Sequence, residues 1–267
     1  MIHTTQFTAA ALANARKAAT GIATYPGDVP RDLAHAYDVQ DRIITLMAKP
    51  IAGWKVGRIN GAEAESFGIN RLAGPIFSDF VFAAQPNEVA QVPVYAEGFI
   101  AAEAEFMLRI GTAPDPAQSH FSLEEAAAHI DQICVGIEMA SSPFSGINDH
   151  GAAVTASDLG NSKALVIGAP IAATEWPEYA DWPVRLSVDG VQRGQASASG
   201  LPDGPMGAVR FLLEHLAARK IALHSGQWVS TGAITGVHQV QVGEQVRVDF
   251  GATYVVQCAP IAAIAVS

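Results

Sequence analysis

The fold of this chain is decided by one stretch of sequence, Phe99-Ile100-Ala101-Ala102-Glu103-Ala104-Glu105-Phe106-Met107-Leu108-Arg109-Ile110. Successive side chains of a strand point to opposite faces, and here both faces are mainly apolar. Hydrophobicity on both faces is typical of a strand buried inside a sheet. The stretch therefore predicts a central strand that carries Glu103 and Glu105 on the same face.

A third glutamate, Glu138, is the only charged residue in a second apolar strand candidate, residues 133–139. Two carboxylates on one face of a strand lie ~7 Å apart and repel each other. Burying them without a counter-ion costs free energy, and oxygen ligands suit Mg²⁺ or Mn²⁺. We therefore predict that Glu103, Glu105 and Glu138 bind one cation. The alternative is an exposed Glu103–Glu105 pair and an unrelated buried Glu138.

Lys55 lies in a short segment framed by an aromatic residue and glycines, Gly53-Trp54-Lys55-Val56-Gly57. Burial in such surroundings lowers the pKa of a lysine, which then serves as an acid or a base. The alternative is a side chain that extends its ammonium group to solvent. Asp79 follows an apolar turn, and by itself this position predicts only a loop or capping residue.

The order of the predicted elements sets the fold class. Helical patterns dominate the first third of the chain, and short strands bounded by glycine or proline dominate the last third. This order favours an α+β fold, a mixed β-roll or barrel with surrounding helices, over a doubly wound parallel sheet. We predict that residues 1–75 form an N-terminal helical region packed on a catalytic β-roll of residues 76–267, together making one integrated domain.

Three local signals refine this prediction. Pro30 is expected to begin the second helix, where its missing N–H group costs nothing. Ser122 and Glu125 have the spacing of a capping box at a helix N-terminus. Asp189-Gly190 separates two strand candidates and predicts a tight hairpin.

The composition excludes several functional classes. The chain has 267 residues and a formal net charge of −10, so a nucleic acid is not an expected partner. Its longest apolar run, residues 164–173, is far below the ~20 residues of a membrane-spanning helix, and a cytoplasmic protein is expected. Charged residues make up only 16% of the chain. This low fraction indicates either surface covered in a homo-oligomer or simply an alanine-rich composition.

Several segments, taken in order, resemble the 2-keto-4-pentenoate hydratase / 4-oxalocrotonate decarboxylase group of the fumarylacetoacetate hydrolase superfamily. Each motif is weak alone, but their common order and spacing make the set specific. The matching segments are residues 35–40, 53–57, 74–79, 102–105, 136–138, 231–236 and 248–251.

The resemblance implies a site and an assembly. Glu103, Glu105 and Glu138 would hold Mg²⁺ or Mn²⁺, Lys55 would be the acid–base residue, and Asp79 would lie near it. The fold would be the β-roll of the fumarylacetoacetate hydrolase C-terminal domain. The protein would be a homo-oligomer, alone or in complex with a homologous decarboxylase or hydratase.

The resemblance also implies substrate contacts. Asp158 and Ser162 match the group's "DNxSxG" stretch, and Thr231 belongs to its "TGxxTG" motif. Lys163 departs from the pattern because it replaces a small residue. It would either contact a second carboxylate of the substrate or point to solvent.

The activity implied first is a hydratase that adds water to a 2-hydroxy-2,4-dienoate and yields a 4-hydroxy-2-oxo acid, as in the catabolism of aromatic ring-cleavage products. The alternatives are decarboxylation of a 4-oxalocrotonate-type 2-oxo diacid and hydrolysis of a C–C bond in an acylpyruvate. A non-catalytic subunit that supports an active homologue is an alternative of another class. The glutamates alone do not distinguish hydration from decarboxylation, because both reactions use the same electron sink.

Overall fold

The computed structural model describes residues 2–85 and 87–265. The helices in these residues are α1 (Ile2–Ala18), α2 (Leu33–Met47), α3 (Gly61–Phe67), α4 (Leu123–Ala128), α5 (Gly151–Ser157) and α6 (Gly204–Ala218). The strands are β1 (Ile51–Arg58), β2 (Arg71–Phe77), β3 (Val81–Ala83), β4 (Ala90–Val94), β5 (Phe99–Ile110), β6 (Ile130–Ser142), β7 (Ser162–Pro170), β8 (Val184–Val188), β9 (Val191–Ala196), β10 (Trp228–Ser230), β11 (His238–Gln239), β12 (Val246–Phe250) and β13 (Tyr254–Ala262).

Two mixed sheets form the body of the fold. The larger sheet has the strand order β2-β1-β10-β5-β6-β7-β3, with β11 also paired to β5, and the smaller sheet has the order β4-β13-β12-β8-β9. The β1–β10, β3–β7 and β4–β13 pairs are parallel, and the other neighbours are antiparallel. The predicted α+β class, a mixed β-roll with surrounding helices, is confirmed.

Strand β5 has the bounds that the sequence predicts and lies in the middle of the larger sheet. On one face Phe106 packs against the smaller sheet, with its ring centroid 5.2 Å from that of Phe250. On the other face Ala101 belongs to a cluster with α1 and α2, and Met107 belongs to a small cluster with Leu165. The two glutamates of β5 lie between these apolar groups, on the face away from the smaller sheet.

Helices α1 and α2 cover part of that second face. Leu12 of α1 and Ile43 of α2 are fully buried in the cluster that contains Ala101. Helix α2 begins later than predicted, because Asp32 is its capping residue and its Oδ1 accepts a hydrogen bond from the His35 N–H group at 2.8 Å. The expectation that Pro30 begins this helix is therefore wrong, since a side-chain acceptor at Asp32 satisfies the free N–H group of the first turn.

Two other local predictions are confirmed. Asp189 and Gly190, both with positive φ, join β8 and β9 in a hairpin. Ser122 and Glu125 form the capping box of α4. The division predicted after residue 75 falls inside β2, and residues 51–58 and 71–77 contribute two strands to the larger sheet.

A left-handed turn leads into β7. Leu159, Gly160 and Asn161 have φ values of 57°, 67° and 62°. The turn presses against Gly74 of β2, where a Cβ atom would come within 1.9 Å of the Leu159 carbonyl oxygen. Gly74 is thus required because the backbone of this turn approaches it so closely. The left-handed turn also sets the directions in which the side chains of residues 158–163 point. None of the helices in the described residues is long and apolar enough to cross a membrane.

Candidate metal centre and active site

Three carboxylates converge on one face of β5 and β6. The strand register places Glu103 directly opposite Glu138, and Glu105 follows Glu103 by two residues on the same face. One carboxylate oxygen of each residue lies within 4.8 Å of the others. Glu103 is 5% exposed, and Glu105 and Glu138 are fully buried. The structure therefore brings together the three glutamates that the sequence singles out.

Lys55 reaches the same cluster from β1, which is separated from β5 only by the short strand β10. Lys55 Nζ lies 3.0 Å from Glu138 Oε2 and 3.9 Å from Glu103 Oε2. Burial by itself lowers the pKa of Lys55, but the attraction of Glu103, Glu138 and Glu105 outweighs burial and raises this pKa above its ordinary value. Without a metal ion, Lys55 is the counter-charge of the cluster.

Glu105 is held by groups at the end of β10. Its Oε2 atom accepts hydrogen bonds from Ser230 Oγ at 2.5 Å and from the Gly232 N–H group at 2.8 Å. Both residues flank Thr231, the first residue of the "TGxxTG" motif, but neither was predicted from the sequence to have a role in the site. They orient the carboxylate through one oxygen and leave the other oxygen free.

The remaining oxygens fit a divalent cation. Glu105 Oε1 and Glu138 Oε1 are buried without a hydrogen-bond partner, and Glu138 Oε2 is paired with the Lys55 ammonium group. Burial, followed by repulsion from Glu138 and Glu103, raises the pKa of Glu105 well above its ordinary value. Burial also raises the pKa of Glu138, and the nearby Lys55 only partly offsets this. Because carboxylate oxygens are the ligand atoms that Mg²⁺ and Mn²⁺ prefer, the triad can hold such an ion.

A cavity of about 690 Å³ opens onto this cluster. Lys55 and Glu103 lie at its inner surface. Its other polar lining includes groups that were not predicted from the sequence: Arg58, Asn60, Glu63, Asn148, Thr155, Asn161, Ser197 and Thr235. Two of them carried a sequence signal, since Asn161 belongs to the "DNxSxG" stretch and Thr235 to the "TGxxTG" segment. The volume is in the range of sites for small organic molecules.

Metal binding is expected to stabilise the protein more at about pH 8 than at about pH 5. The pKa values of Glu105 and Glu138 are raised in the metal-free folded state. These carboxyl groups therefore keep their protons at pH values at which the same groups of the unfolded chain have already lost them. The metal-free protein therefore loses stability as pH rises through this window, whereas a bound cation keeps the carboxylates ionised without that loss.

Calorimetry with Mn²⁺ or with EDTA measures this difference. At a Mn²⁺ concentration about 100 times its dissociation constant, the gain in unfolding free energy is about 2.7 kcal/mol. The same unfolding temperature with Mn²⁺ and with EDTA at both pH values would contradict a metal site.

Asp79 lies away from the carboxylate cluster. It belongs to the turn of residues 78–80 after β2, and its side chain is 54% exposed. Its Oδ2 atom pairs with Lys49 Nζ at 2.5 Å, and hydrogen bonding to this ammonium lowers the pKa of Asp79. The implied position of Asp79 beside Lys55 is therefore not what the structure shows. The turn directs the carboxylate to the surface.

Asp158 is a buried partner of α1 and does not line the 690 Å³ cavity. Its Oδ1 atom accepts a hydrogen bond from Arg16 Nε at 2.7 Å, and its Oδ2 atom accepts one from Ser142 Oγ at 2.5 Å. Ser162 is also buried, and its Oγ atom has no hydrogen-bond partner. Thr231 Oγ1 donates to the Phe106 carbonyl oxygen at 3.0 Å. The substrate roles implied for these residues remain predictions, and the contacts of Asp158 and Thr231 are structural.

Replacing Asp158 by Asn is expected to destabilise the fold. Arg16 would stay buried without a negative partner, which costs about 3–5 kcal/mol of unfolding free energy. Urea unfolding measures this change. Asp79→Asn is the matched control because it breaks an exposed ion pair, for which ~0–1 kcal/mol is expected. A stable Asp158→Asn protein with weakened substrate binding would support the implied substrate role instead.

Lys163 lies outside the catalytic cavity. It is 5% exposed, and its Nζ atom lies 3.4 Å from Tyr95 Oη and 3.6 Å from the centroid of the Phe80 ring. It lines a different cavity, together with Arg16 and Lys49. The structure therefore places this ammonium neither in solvent nor beside Lys55.

Comparison with protein families gives one match. Residues 76–265 match the family described as "Fumarylacetoacetate (FAA) hydrolase C-terminal". None of the curated proteins matches the sequence. The family match covers the strands that carry all three glutamates.

Solved structures share the fold. A 4-oxalocrotonate decarboxylase from Pseudomonas putida G7, complexed with magnesium and adipate, has a TM-score of 0.82 at 20% identity, with 98% of each chain covered. A fumarylpyruvate hydrolase from Pseudomonas aeruginosa, in complex with Mn²⁺ and pyruvate, has a TM-score of 0.57 at 21% identity, covering 79% of this chain and 89% of that one. A 5-carboxymethyl-2-hydroxymuconate delta-isomerase from Mycobacterium smegmatis has a TM-score of 0.56 at 19% identity, with 80% and 81% covered. The likeness to the decarboxylase extends over the N-terminal helices of this chain.

Proposed function

Because the chain belongs to the fumarylacetoacetate (FAA) hydrolase C-terminal family, we propose that it is a divalent-metal-dependent enzyme that acts on an unsaturated 2-oxo acid. The observation that carries this proposal is the meeting of three buried carboxylates and Lys55 at the inner surface of one cavity. The similar structures are, by their names, a decarboxylase, a hydrolase and an isomerase.

The three glutamates and Lys55 have different proposed roles. Glu103, Glu105 and Glu138 would hold Mg²⁺ or Mn²⁺, which polarises the 2-oxo group of the substrate as a Lewis acid. Within the described residues, Lys55 is the only cationic side chain within 4.0 Å of these carboxylates. A cation shared by the glutamates would cancel the attraction that raises the pKa of Lys55. Burial then favours release of a proton from the Lys55 ammonium group, which suits Lys55 to act as an acid.

We propose decarboxylation of an unsaturated 2-oxo diacid as the reaction. The C–C bond to the distal carboxylate breaks, CO₂ leaves, and the electron pair moves into the conjugated 2-oxo system. The Lys55 ammonium group then gives one proton to carbon and becomes the neutral amine. This reaction needs a single proton transfer, and the structure brings one acid–base side chain to the cluster while Asp79 stays at the surface.

The cavity also has a group for a second carboxylate. Arg58 lies at its lining and is exposed. Among residues 2–85 and 87–265, no carboxylate lies within 4.0 Å of this guanidinium group to form an ion pair. The similar decarboxylase structure was solved with adipate, which is a diacid. Both observations support a substrate with two carboxylates.

Hydration of a 2-hydroxy-2,4-dienoate is the second candidate. Asn161 lines the cavity, and its buried Oδ1 atom has no hydrogen-bond partner. An unpaired acceptor at this place is suited to hold the water that adds to the substrate, and Thr155 and Thr235 add further hydroxyl groups. This is the activity that the sequence motifs imply first, and it remains a prediction.

A substrate panel separates the candidates. Protein saturated with Mg²⁺ or Mn²⁺ is incubated with a 4-oxalocrotonate-type diacid, a 2-hydroxy-2,4-dienoate and an acylpyruvate. Ultraviolet absorbance, CO₂ and product mass are followed. Release of one CO₂ per chromophore lost indicates decarboxylation, and a product heavier by one water without CO₂ indicates hydration. Formation of pyruvate from the acylpyruvate indicates the hydrolase. No turnover by the metal-loaded protein would favour the non-catalytic subunit and contradict the proposal.

Replacing Arg58 by Gln is expected to raise KM for the diacid about tenfold or more, because a charge-assisted contact with its second carboxylate is lost. KM for a matched monocarboxylate should change little. Arg193→Gln is the control, because Arg193 is exposed on β9 and does not line this cavity. Equal effects on both substrates would assign Arg58 no role in recognising the second carboxylate.

A cytoplasmic homo-oligomer, alone or with a homologous partner, is also part of the proposal. Support comes from the low charged fraction of 16%. Several large apolar side chains are also exposed, among them Phe7, Val191 and Val237. Such groups are suited to contacts between subunits.

A further inference from the structure

A second cavity, of about 430 Å³, lies apart from the catalytic one and shares no lining residue with it. Its walls combine cationic and apolar side chains. The lining residues of this cavity, called here the Lys163 cavity, are Arg16, Lys17, Met47, Lys49, Phe80, Pro93, Tyr95, Lys163, Ala263 and Ile264. Four of the ten are cationic, in a chain whose formal net charge is −10.

Lys163 is the most unusual of these residues. Its side chain is buried, and its Nζ atom lies 3.6 Å from the centroid of the Phe80 ring and 4.5 Å from that of the Tyr95 ring. Its hydrogen-bond acceptor is Tyr95 Oη at 3.4 Å. Over the part of the chain that the structure describes, no carboxylate lies within 4.0 Å of Lys163 Nζ. A buried ammonium without an anion costs free energy, which aromatic rings offset only in part.

The neighbouring cations add to this positive charge. Arg16 is neutralised by Asp158, and Lys49 pairs with the exposed carboxylate of Asp79 while lying 5.5 Å from the Phe80 ring centroid. The ammonium group of Lys17 donates to a carbonyl oxygen of α2. The two carboxylates thus neutralise Arg16 and Lys49, whereas Lys163 and the exposed Lys17 have no carboxylate partner within the described part of the chain.

We propose that the Lys163 cavity is a second, non-catalytic site that binds a small organic carboxylate. The carboxylate group would contact Lys163 and Lys49, and the body of the ligand would pack against apolar walls that include Met47, Pro93 and Ile264. These walls favour an organic anion over inorganic phosphate, which has no apolar surface to bury. This inference does not depend on the reaction at the metal centre.

The charge environment gives the site a pH dependence. Burial, together with Arg16 and Lys49, lowers the pKa of Lys163 to about 7. A bound carboxylate raises this pKa again, so binding takes up a proton when Lys163 starts neutral. Among residues 2–85 and 87–265, the other ionisable groups that line this cavity are Lys17 and Tyr95. Affinity should therefore fall as pH rises above about 7.

Isothermal titration with hexanoate tests the proposal, using the Mn²⁺-loaded protein. Hexanoate is expected to bind with one-to-one stoichiometry, and neutral hexanamide and inorganic phosphate are expected to bind at least tenfold more weakly. Glu105→Gln should not change the hexanoate affinity. Loss of hexanoate binding in Glu105→Gln would show that hexanoate binds at the metal centre, and this result would overturn the proposal.

Two variants test whether hexanoate binds in the Lys163 cavity. Lys163→Met, which keeps the side-chain length but removes the charge, is expected to weaken hexanoate binding at least tenfold, and Lys49→Met to weaken it severalfold. Lys220→Met is the control for net charge, because Lys220 is exposed and does not line the cavity. Mn²⁺ binding by Lys163→Met checks that the fold is retained. If this variant does not fold, hexanoate binding by Lys49→Met and hexanamide binding by the unmodified protein test the proposal instead.

Three results would overturn the proposal. The first is no binding of hexanoate up to about 20 mM. The second is hexanoate binding that neither Lys163→Met nor Lys49→Met weakens. The third is equal binding of hexanoate and hexanamide, or of hexanoate and phosphate, which would remove the organic carboxylate as the preferred ligand.

Discussion

Replacing Glu105 by Gln is expected to abolish metal-dependent turnover, with a loss of at least about 10³-fold, because the bound cation supplies several kcal/mol of stabilisation to the reacting 2-oxo group. The amide has nearly the shape of the carboxylate but lacks its charge. Glu105 is fully buried, and burial raises its pKa in the metal-free protein. Removing this charge should therefore leave the metal-free fold as stable as before or more stable. Steady-state kinetics, Mn²⁺ titration and thermal unfolding measure the three quantities.

Ser230→Ala is the graded control for Glu105→Gln. It removes one of the two hydrogen bonds that hold Glu105 Oε2 and keeps the ligand itself. Loss of such a supporting group typically weakens metal affinity 10–100-fold. Metal-dependent activity that survives in Glu105→Gln at the level of the unmodified protein would remove Glu105 from the proposed metal site.

Replacing Lys55 by Met is expected to lower kcat about 10²–10⁴-fold, which is the range that a positioned acid–base group contributes. Metal affinity should stay the same or increase, because Lys55 Nζ lies 3.0 Å from Glu138 Oε2 and competes with a cation for that carboxylate. Without metal, the variant should be less stable near neutral pH, since the three glutamates then lack their counter-charge. Kinetics at saturating Mn²⁺ separate the loss of turnover from any change in metal binding.

Lys220→Met controls for the loss of one positive charge at an exposed position. Lys55→Met with unchanged kcat would reject the acid–base role. A loss of activity that higher Mn²⁺ concentrations restore would show instead that Lys55 only supports metal binding.

Much of the sheet followed from sequence pattern alone. The strand of residues 99–110 has the predicted bounds, and the predicted hairpin forms at Asp189-Gly190, because side-chain alternation and turn chemistry act over a few neighbouring residues. Glu103, Glu105 and Glu138 were predicted as metal ligands from an equally local pattern, a charged residue within an apolar strand. A charge inside an otherwise apolar strand must meet a partner when the strand is buried.

The wrong or unsupported placements lie where distant segments decide the local geometry. Pro30 does not begin α2, because Asp32 supplies the cap. Asp79 and Lys163 do not lie beside Lys55. The turn after β2 directs Asp79 to Lys49, and the left-handed turn before β7 directs Lys163 to Phe80 and Tyr95. These turns pack against residues far along the chain, so a motif does not reveal where their side chains point.

The sequence by itself predicted that the strands around residues 99–110 and 133–139 are buried and that β5 carries its two glutamates on one face. The tertiary structure alone decided that Glu138 faces Glu103, that Lys55 arrives beside them across β10, and that Lys163 faces a separate cavity. The reason is that burial and alternation are encoded within single strands. Register between strands and the direction of a turn depend on contacts between residues far apart in sequence, which form together only in the folded chain.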